Sequence, residues 1–221
     1  MAPTTKPIPK RREVTRRRAR KEGGTSVLEF SLIFYPMLLL MLGIVIIGYN
    51  LGQAVQVAQI ARDADSMYSR GAPMYSSSAQ NFLAQLGSNM GLQTSSGNGL
   101  VTLSKIQFIP DPASCGSGPS DSRYANCTVG TNRLVQRITI GNTGITAGAT
   151  RFPTAGTVSY DSLDQVNNYL TDNNAIVSNF STTLQLKPLE VSYVSEAYFQ
   201  TSSVTLGNVV STPGVYAQAF F

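Results

Sequence analysis

The chain has 221 residues and contains no histidine and no tryptophan; cysteine occurs twice, and only 13 % of residues are charged. Without histidine there is no Ser-His-Asp or Cys-His nucleophile, no His-ligated metal and no imidazole general base. Two cysteines cannot build a Cys-rich zinc site. Gly141-Asn142-Thr143-Gly144 lacks the lysine and the spacing of a phosphate-binding loop. Asp161 and Asp164 stand three apart, as on a solvated helix face, and Asp111 sits in a Pro-Asp-Pro turn. No catalytic residue, cofactor site or metal-ligand set is expected, and the chain does not read as an enzyme.

Charge is concentrated at one end. The formal net charge is +5, yet residues 1–24 hold nine basic and two acidic residues, and residues 25–221 hold eight basic and ten acidic ones. The pI near 9.3 therefore describes a short tail on a mildly acidic remainder. No phosphate-matching basic patch follows residue 24, which argues against a nucleic-acid partner.

From Phe30 to Ala61 no residue is charged, and Phe30–Gly48 (FSLIFYPMLLLMLGIVIIG) is apolar almost throughout. At about 1.5 Å per residue such a run crosses most of a hydrocarbon layer about 30 Å thick. A helix that is apolar on every face over this distance predicts a membrane span at about residues 30–48. The basic tail before it, against Arg62 beside Asp63 and Asp65 after it, places the N-terminus in the cytoplasm and residues 71–221 outside. A cleaved secretory signal would have a shorter apolar region and a small-residue cleavage site directly after it. Here the run passes instead into GQAVQVAQIARDADSMYSR, a continuing helical pattern. An uncleaved signal anchor accounts for the span alone.

Glu29 is what the anchor reading leaves unexplained. A carboxylate entering the bilayer costs a few kcal/mol unless it is paired. If the chain is cut between Gly24 and Thr25, the new amine of Thr25 lies one helical turn from Glu29. In an assembled bundle the amine of one subunit would neutralise Glu29 of its neighbour. The alternative is an interfacial acid that snorkels to the headgroups, with no processing. Pro36 reads as a kink tolerated within a membrane helix. Gly48 and Gly52, four apart, would let helices approach closely.

These residues carry a resemblance. Basic leader, Gly24, Glu29, the aromatic Phe30 and a long apolar helix together look like a type IV prepilin-class signal. More narrowly, Gly24–Arg70 resembles the N-terminus of TadE-like proteins, in Glu29-Phe30, Pro36, Ala61-Arg62-Asp63-Ala64 and Arg70-Gly71. The match covers about 47 residues. Asp65 departs from it, standing where the family usually has alanine or another apolar residue. Short stretches near the C-terminus also resemble long TadE-like proteins: Gln136–Asn142, Glu196-Ala197-Tyr198-Phe199 and Val215–Phe221. The resemblance implies a minor pilin or pseudopilin of a Tad (Flp-type IVb) pilus, in the TadE or the related TadF role. It implies a prepilin peptidase acting at Gly24-Thr25, other Tad pilins and the pilus assembly machinery as partners. It implies a bacterial inner-membrane location, single-pass, with the C-terminal domain periplasmic or on the cell surface in the pilus.

Three segments are expected: a leader over 1–24, a long helix over 25–70, and an exported domain over 71–221. In the helix, Val57, Ile60, Ala61, Ala64 and Met67 form an apolar stripe that needs a partner surface. Gly71 and Pro73 end it. A second helix is expected at about 77–90, capped by Ser77 or Ser78, with Phe82, Leu83, Leu86 and Met90 on one face. Strands are expected at 100–109, 133–140, 182–187, 189–199 and 214–221. Residues 163–170 read as a short helix or a loop. The fold class is α+β, a membrane-spanning helix followed by a pilin-like domain with a mainly antiparallel sheet. Cys115 and Cys127, in a Gly/Ser/Pro/Asn loop on the exported side, are expected to form a disulfide, worth roughly 3 kcal/mol in the chain-entropy picture. Asn126-Cys127-Thr128 and Asn179-Phe180-Ser181 match a glycosylation sequon.

Two functions follow. The first is assembly, tip or priming of a surface-adherence pilus, with Glu29 and Phe30 at the subunit contact. The alternative is an uncleaved single-pass envelope protein whose exported domain binds a ligand as an adhesin or receptor.

Overall fold

A computed structural model describes residues 22–111, 129–145, 152, 155–180, 184–200 and 214–221. It divides into two compact units, Met1–Tyr49 and Asn50–Phe221. The described part of the first unit is helix. Helix α1 runs over Glu22–Ser69, 48 residues, with Pro36 inside it. From Glu22 to Tyr49 it rises about 42 Å. Pro36 removes one donor from the ladder, and lipid-exposed helices accept that loss where Ser side chains and water re-satisfy the freed carbonyl. α1 contains a stretch long and apolar enough to cross a membrane, and none of that stretch is buried.

The second unit is α+β. Past Asn50 the character of α1 changes from apolar all round to amphipathic, and the expected stripe is the buried one. Val57, Ala61 and Ala64 are fully buried, Ile60 and Tyr68 nearly so, and Met67 packs at the margin. Alanines at Ala61 and Ala64 let the helix axis approach the sheet closely. Gly71, at φ +83°, turns the chain out of the helix, and its N–H donates to the Tyr68 carbonyl.

Helix α2 spans Ser77–Leu86. The cap is Ser76, one residue before the expected position: its hydroxyl accepts from the Ala79 N–H. The expected apolar face is also divided. Leu83 is buried, whereas Phe82 and Leu86 are about half exposed, so α2 rests on the core by a single large anchor. The helix stops at Gly87, whose N–H donates to the Leu83 carbonyl and where a Cβ would meet the Leu92 side chain at 2.7 Å, and a 3-10 turn at Ser88–Met90 replaces the predicted last turn.

Four strands follow: β1 (Gly99–Pro110), β2 (Gly130–Gly141), β3 (Val191–Phe199) and β4 (Val215–Phe220). They form one antiparallel sheet of order β2-β1-β3-β4. Alternation splits their side chains between two cores. Val101, Leu103, Ile138, Ile140, Ala197 and Phe199 face the stripe of α1. Ile106, Leu134 and Val194 face a long irregular segment, where Val166, Ala175, Val177 and Phe180 complete a second core.

One irregularity sets the register. Lys105 pairs with Gln136 but Ile106 pairs with Leu134, so Val135 is an extra residue in β2. The bulge frees the Val135 carbonyl to accept from Val166 N–H at 2.8 Å, which ties the irregular segment to the sheet edge. That segment is not a helix at 163–170. Asp164 and Asn168 sit at φ +59° and +53°, and the Asp161 carboxylate accepts from the Leu163 and Gln165 N–H groups, an aspartate-centred turn in place of a helical ladder. The strand expected at 182–187 is likewise absent over residues 184–187. Pro188 lacks a donor and Leu189 takes φ +64°, so the chain turns there and enters β3 at Val191.

Candidate functional site

At the start of α1, Gly24 and Thr25 lie within the helical backbone that begins at Glu22. Two consecutive glycines, Gly23 and Gly24, cost a helix roughly 1 kcal/mol each relative to alanine, and the first turn has no intrahelical acceptors for its N–H groups. This bond is therefore the cheapest place in α1 to unwind. Glu29 is exposed and has no hydrogen-bond or ion-pair partner among the described residues. Phe30 is 66 % exposed and stacks on Phe34, with ring centroids 5.4 Å apart. The Ser31 hydroxyl donates to the Val27 carbonyl at 2.8 Å, spending its polarity inside the helix. From Ser26 to Asn50 nearly every side chain is exposed, and a Cβ at Gly43, Gly48 or Gly52 would meet nothing within 4 Å. The leader over residues 1–21, and Cys115 and Cys127 with their expected disulfide, lie outside the described residues, as do the first sequon and Ser181 of the second. Phe180, inside the second sequon, is fully buried.

The second unit holds polar groups whose burial the sequence did not show. Asp65 is fully buried on the α1 face that meets the sheet, and neither carboxylate oxygen has a hydrogen-bond partner. Burial pushes its carboxyl up to about 7. One turn on, the Tyr68 hydroxyl donates to Gln136 Oε1 at 2.7 Å, and Gln136 Nε2 donates to the Leu163 carbonyl at 2.7 Å. This relay joins α1, β2 and the irregular segment. Burial, and then the acidic groups of Tyr193, Asp164 and Asp65, hold the Tyr68 phenol above its ordinary range. The Tyr68 ring meets Tyr193 edge-on at 5.0 Å, and Lys105 Nζ lies 6.0 Å from the Tyr193 centroid.

On the opposite sheet face Glu196 is buried but engaged. Its Oε1 accepts from the Phe152 N–H at 3.0 Å and from the Tyr216 hydroxyl. Arg137, which donates from Nε to the Ser104 hydroxyl, lies in the field of Glu196 and Tyr160. Burial lowers the Arg137 guanidinium from its ordinary value, and those two acidic groups oppose the shift. This cluster fastens the irregular segment and β4 to the sheet. Among the described residues no group of three or more Cys, Asp or Glu side chains is placed to hold a metal.

A registered cross-strand pair, Phe108 on β1 and Asn132 on β2, opens onto a cavity of about 430 Å³ at one end of the second face. Asn132 is 7 % exposed, and its Oδ1 has no hydrogen-bond partner. No pattern in the sequence marks this pair: a phenylalanine and an asparagine in separate strands become neighbours only through the register. Comparisons with protein-family models, with curated proteins and with solved structures find no match to this chain.

Proposed function

We propose that the chain is a TadE-like minor pilin or pseudopilin, anchored in the bacterial inner membrane by α1 and active in assembling a Tad-type pilus for surface adherence. The observation that carries this reading is the first half of α1. It is a helix bare on all sides, apolar from Phe30 onward, with one carboxylate, Glu29, that has no partner among the described residues. A lone anchor has no use for that acid, which is tolerable at the membrane edge but costs a few kcal/mol deeper in unless it is paired. Removal of residues 1–24 would place the Thr25 amine on the Glu29 side of the helix, four residues away. Within one helix the two compete with water; between adjacent helices they are desolvated together, which favours association over free diffusion in lipid. The uncovered Gly43, Gly48 and Gly52 positions suit close helix approach. An antiparallel sheet carried on the second half of the same helix is the arrangement the pilin resemblance leads one to expect. The prepilin peptidase and other Tad pilins are then the partners, and the exported domain lies on the periplasmic or outer side.

The test is Glu29→Ala in cells that make the pilus. The expected result is a chain that reaches the membrane in normal amount but leaves piliation reduced at least about tenfold, the scale of one lost desolvated pair. Glu29→Asp, which keeps the charge, should retain part of the activity. Normal piliation by Glu29→Ala would sink the pairing.

A further inference from the structure

We propose that the last turn of α1 is a pH-operated latch: residues 65–70 lie on the sheet while Asp65 holds its proton, and unwind into water when that proton is lost. The latch lies wholly within the second unit and is independent of cleavage at Gly24 and of Glu29.

The geometry separates what can move from what cannot. Asp65 is fully buried, and neither carboxylate oxygen has a hydrogen-bond partner. A neutral carboxyl can be kept in such a place, whereas a charged one without donors is far more costly. The cheapest route to water is the one that disturbs least structure. Upstream, Val57, Ala61 and Ala64 are held in the apolar core; downstream, Met74 is fully buried in the same core. Between these anchors Asp65 and Tyr68 are the buried residues, and Arg70, Gly71 and Pro73 are exposed. The Tyr68–Gln136 hydrogen bond ties this stretch to the sheet. Gly71, at φ +83°, already interrupts the helix. With Ala64 fixed on one side and Met74 on the other, the turn opens by unwinding. That frees the N–H groups of Arg70, Gly71 and Ala72, which now donate to the Ser66, Tyr68 and Met67 carbonyls.

No neighbouring group stands in for the missing proton. On α1 the charged residues next to Asp65, Arg62 and Asp63, are exposed. β1 and β3 bring Lys105 and Tyr193, and Lys105 Nζ lies 6.0 Å from the Tyr193 ring centroid. β2 brings the neutral Gln136. The irregular segment brings Asp164, whose own carboxyl is raised by burial and then by Asp161. α2 has no titratable side chain, and the β4 residues packed on this core are Val215, Ala217 and Ala219. The Phe221 main-chain oxygen accepts from the Tyr193 N–H at 2.8 Å and from the Ser192 hydroxyl at 3.1 Å. The chain has no histidine, so no imidazole titrates between pH 5 and 8. In the closed turn the Asp65 carboxyl sits at about 7, against an ordinary 3.8 once the turn is open. The open form therefore gains about tenfold in population per pH unit between those two values, and nothing further above the upper one.

The experiment is residue-resolved hydrogen exchange on the full chain in detergent at pH 5 and pH 8, corrected for the intrinsic exchange rate. Protection of the Arg70, Gly71 and Ala72 amides is expected to fall about hundredfold from pH 5 to pH 8. Their exchange should depend little on urea, because a local opening exposes little surface, while the β1–β3 ladder stays better protected and shows the steep urea dependence of global unfolding. Asp65→Asn should remove the pH dependence of those three amides. Tyr68→Phe, which deletes the bond to Gln136 and keeps the acid, should lower their protection about tenfold at both pH values and leave the pH dependence in place. Protection unchanged between pH 5 and pH 8 would overturn the inference. So would three amides that exchange only together with the ladder, at its rate and its urea slope, or a pH dependence that survives Asp65→Asn and so belongs to Asp164.

Discussion

Asp65→Asn is expected to raise the stability of the second unit at pH 8 by about 2 kcal/mol and to change it little at pH 4. Asp65 is fully buried, its oxygens are unpartnered, and burial holds its carboxyl at about 7 against an ordinary 3.8. Below about pH 4 the carboxyl is neutral in both the folded and the unfolded chain, and its charge costs nothing. Between that value and about 7 the unfolded chain has lost the proton and the folded chain still holds it, so stability falls as pH rises. Above about 7 the whole penalty is present. A raised folded pKa therefore works against the fold at neutral and alkaline pH. Three pKa units set a ceiling of about 4 kcal/mol, and the expected gain of about 2 kcal/mol stands below it; the amide and the protonated carboxyl it replaces are both neutral buried polar groups of similar cost, so the gain disappears at pH 4. Thermal unfolding of the full chain in detergent, followed by the near-ultraviolet dichroism of its tyrosines, reads the difference. A variant less stable than the parent at pH 8 would mean that the acid is paired in the folded protein.

Glu196→Ala should do the opposite, lowering stability by about 4 kcal/mol at pH 7. Both acids are buried, on opposite faces of one sheet, and their surroundings differ. Glu196 accepts from the Phe152 N–H and the Tyr216 hydroxyl and lies in the field of Arg137. Truncation removes an acidic neighbour of the Arg137 guanidinium and leaves two donors without their acceptor. Those losses release the irregular segment from the sheet as well as weakening the core. Hydrogen exchange should accordingly rise first at residues 155–180, before the β1–β3 ladder. Equal protection in parent and variant would show that the cluster does not hold that segment.

The legible parts of the fold were those set by periodicity. The charge-free run from Phe30 announces its helix, and the stripe Val57-Ile60-Ala61-Ala64 is the buried face because a spacing of three and four admits only one such face. The four strands of the sheet stand near their expected places, since alternation in Val101-Leu103 and Ile138-Ile140 marks a half-buried sheet. What escaped is what depends on the third dimension. TTLQLK has the composition of a strand, but Pro188 and the left-handed Leu189 turn the chain at its end. Asp164 and Asn168 break a plausible helix by taking left-handed conformations that side-chain pattern does not reveal. Phe82 and Leu86 share a helical face with Leu83, yet a ten-residue helix lying on an existing core buries only the side chain beneath its axis. Asp65 seemed a minor departure because an acid beside Arg62 and Asp63 looks like a wet helix face; the angle that places Asp63 outside places Asp65 in the core. The Phe108–Asn132 pair was invisible, because register is a property of two strands at once.

For function, the residues on which the proposed reading rests are the ones the sequence displays most openly. Glu29, Phe30, Gly24 and Thr25 stand out against an apolar background where any polar or small residue is conspicuous. The two halves of α1 divide the work under the proposed reading. The bare apolar half and its single acid supply assembly in the membrane. The amphipathic half, with Asp65 and Tyr68 against the sheet, sets how firmly the exported domain is carried.

The most direct test of the central claim is the N-terminus of the chain recovered from its native membrane, read by terminal sequencing and intact mass in cells with and without the prepilin peptidase. The account predicts a chain that begins at Thr25 when the peptidase is present and keeps its basic leader when it is absent. A leader retained in both, on a chain that still supports normal piliation, would contradict it and leave an uncleaved envelope-anchored binding protein as the better description.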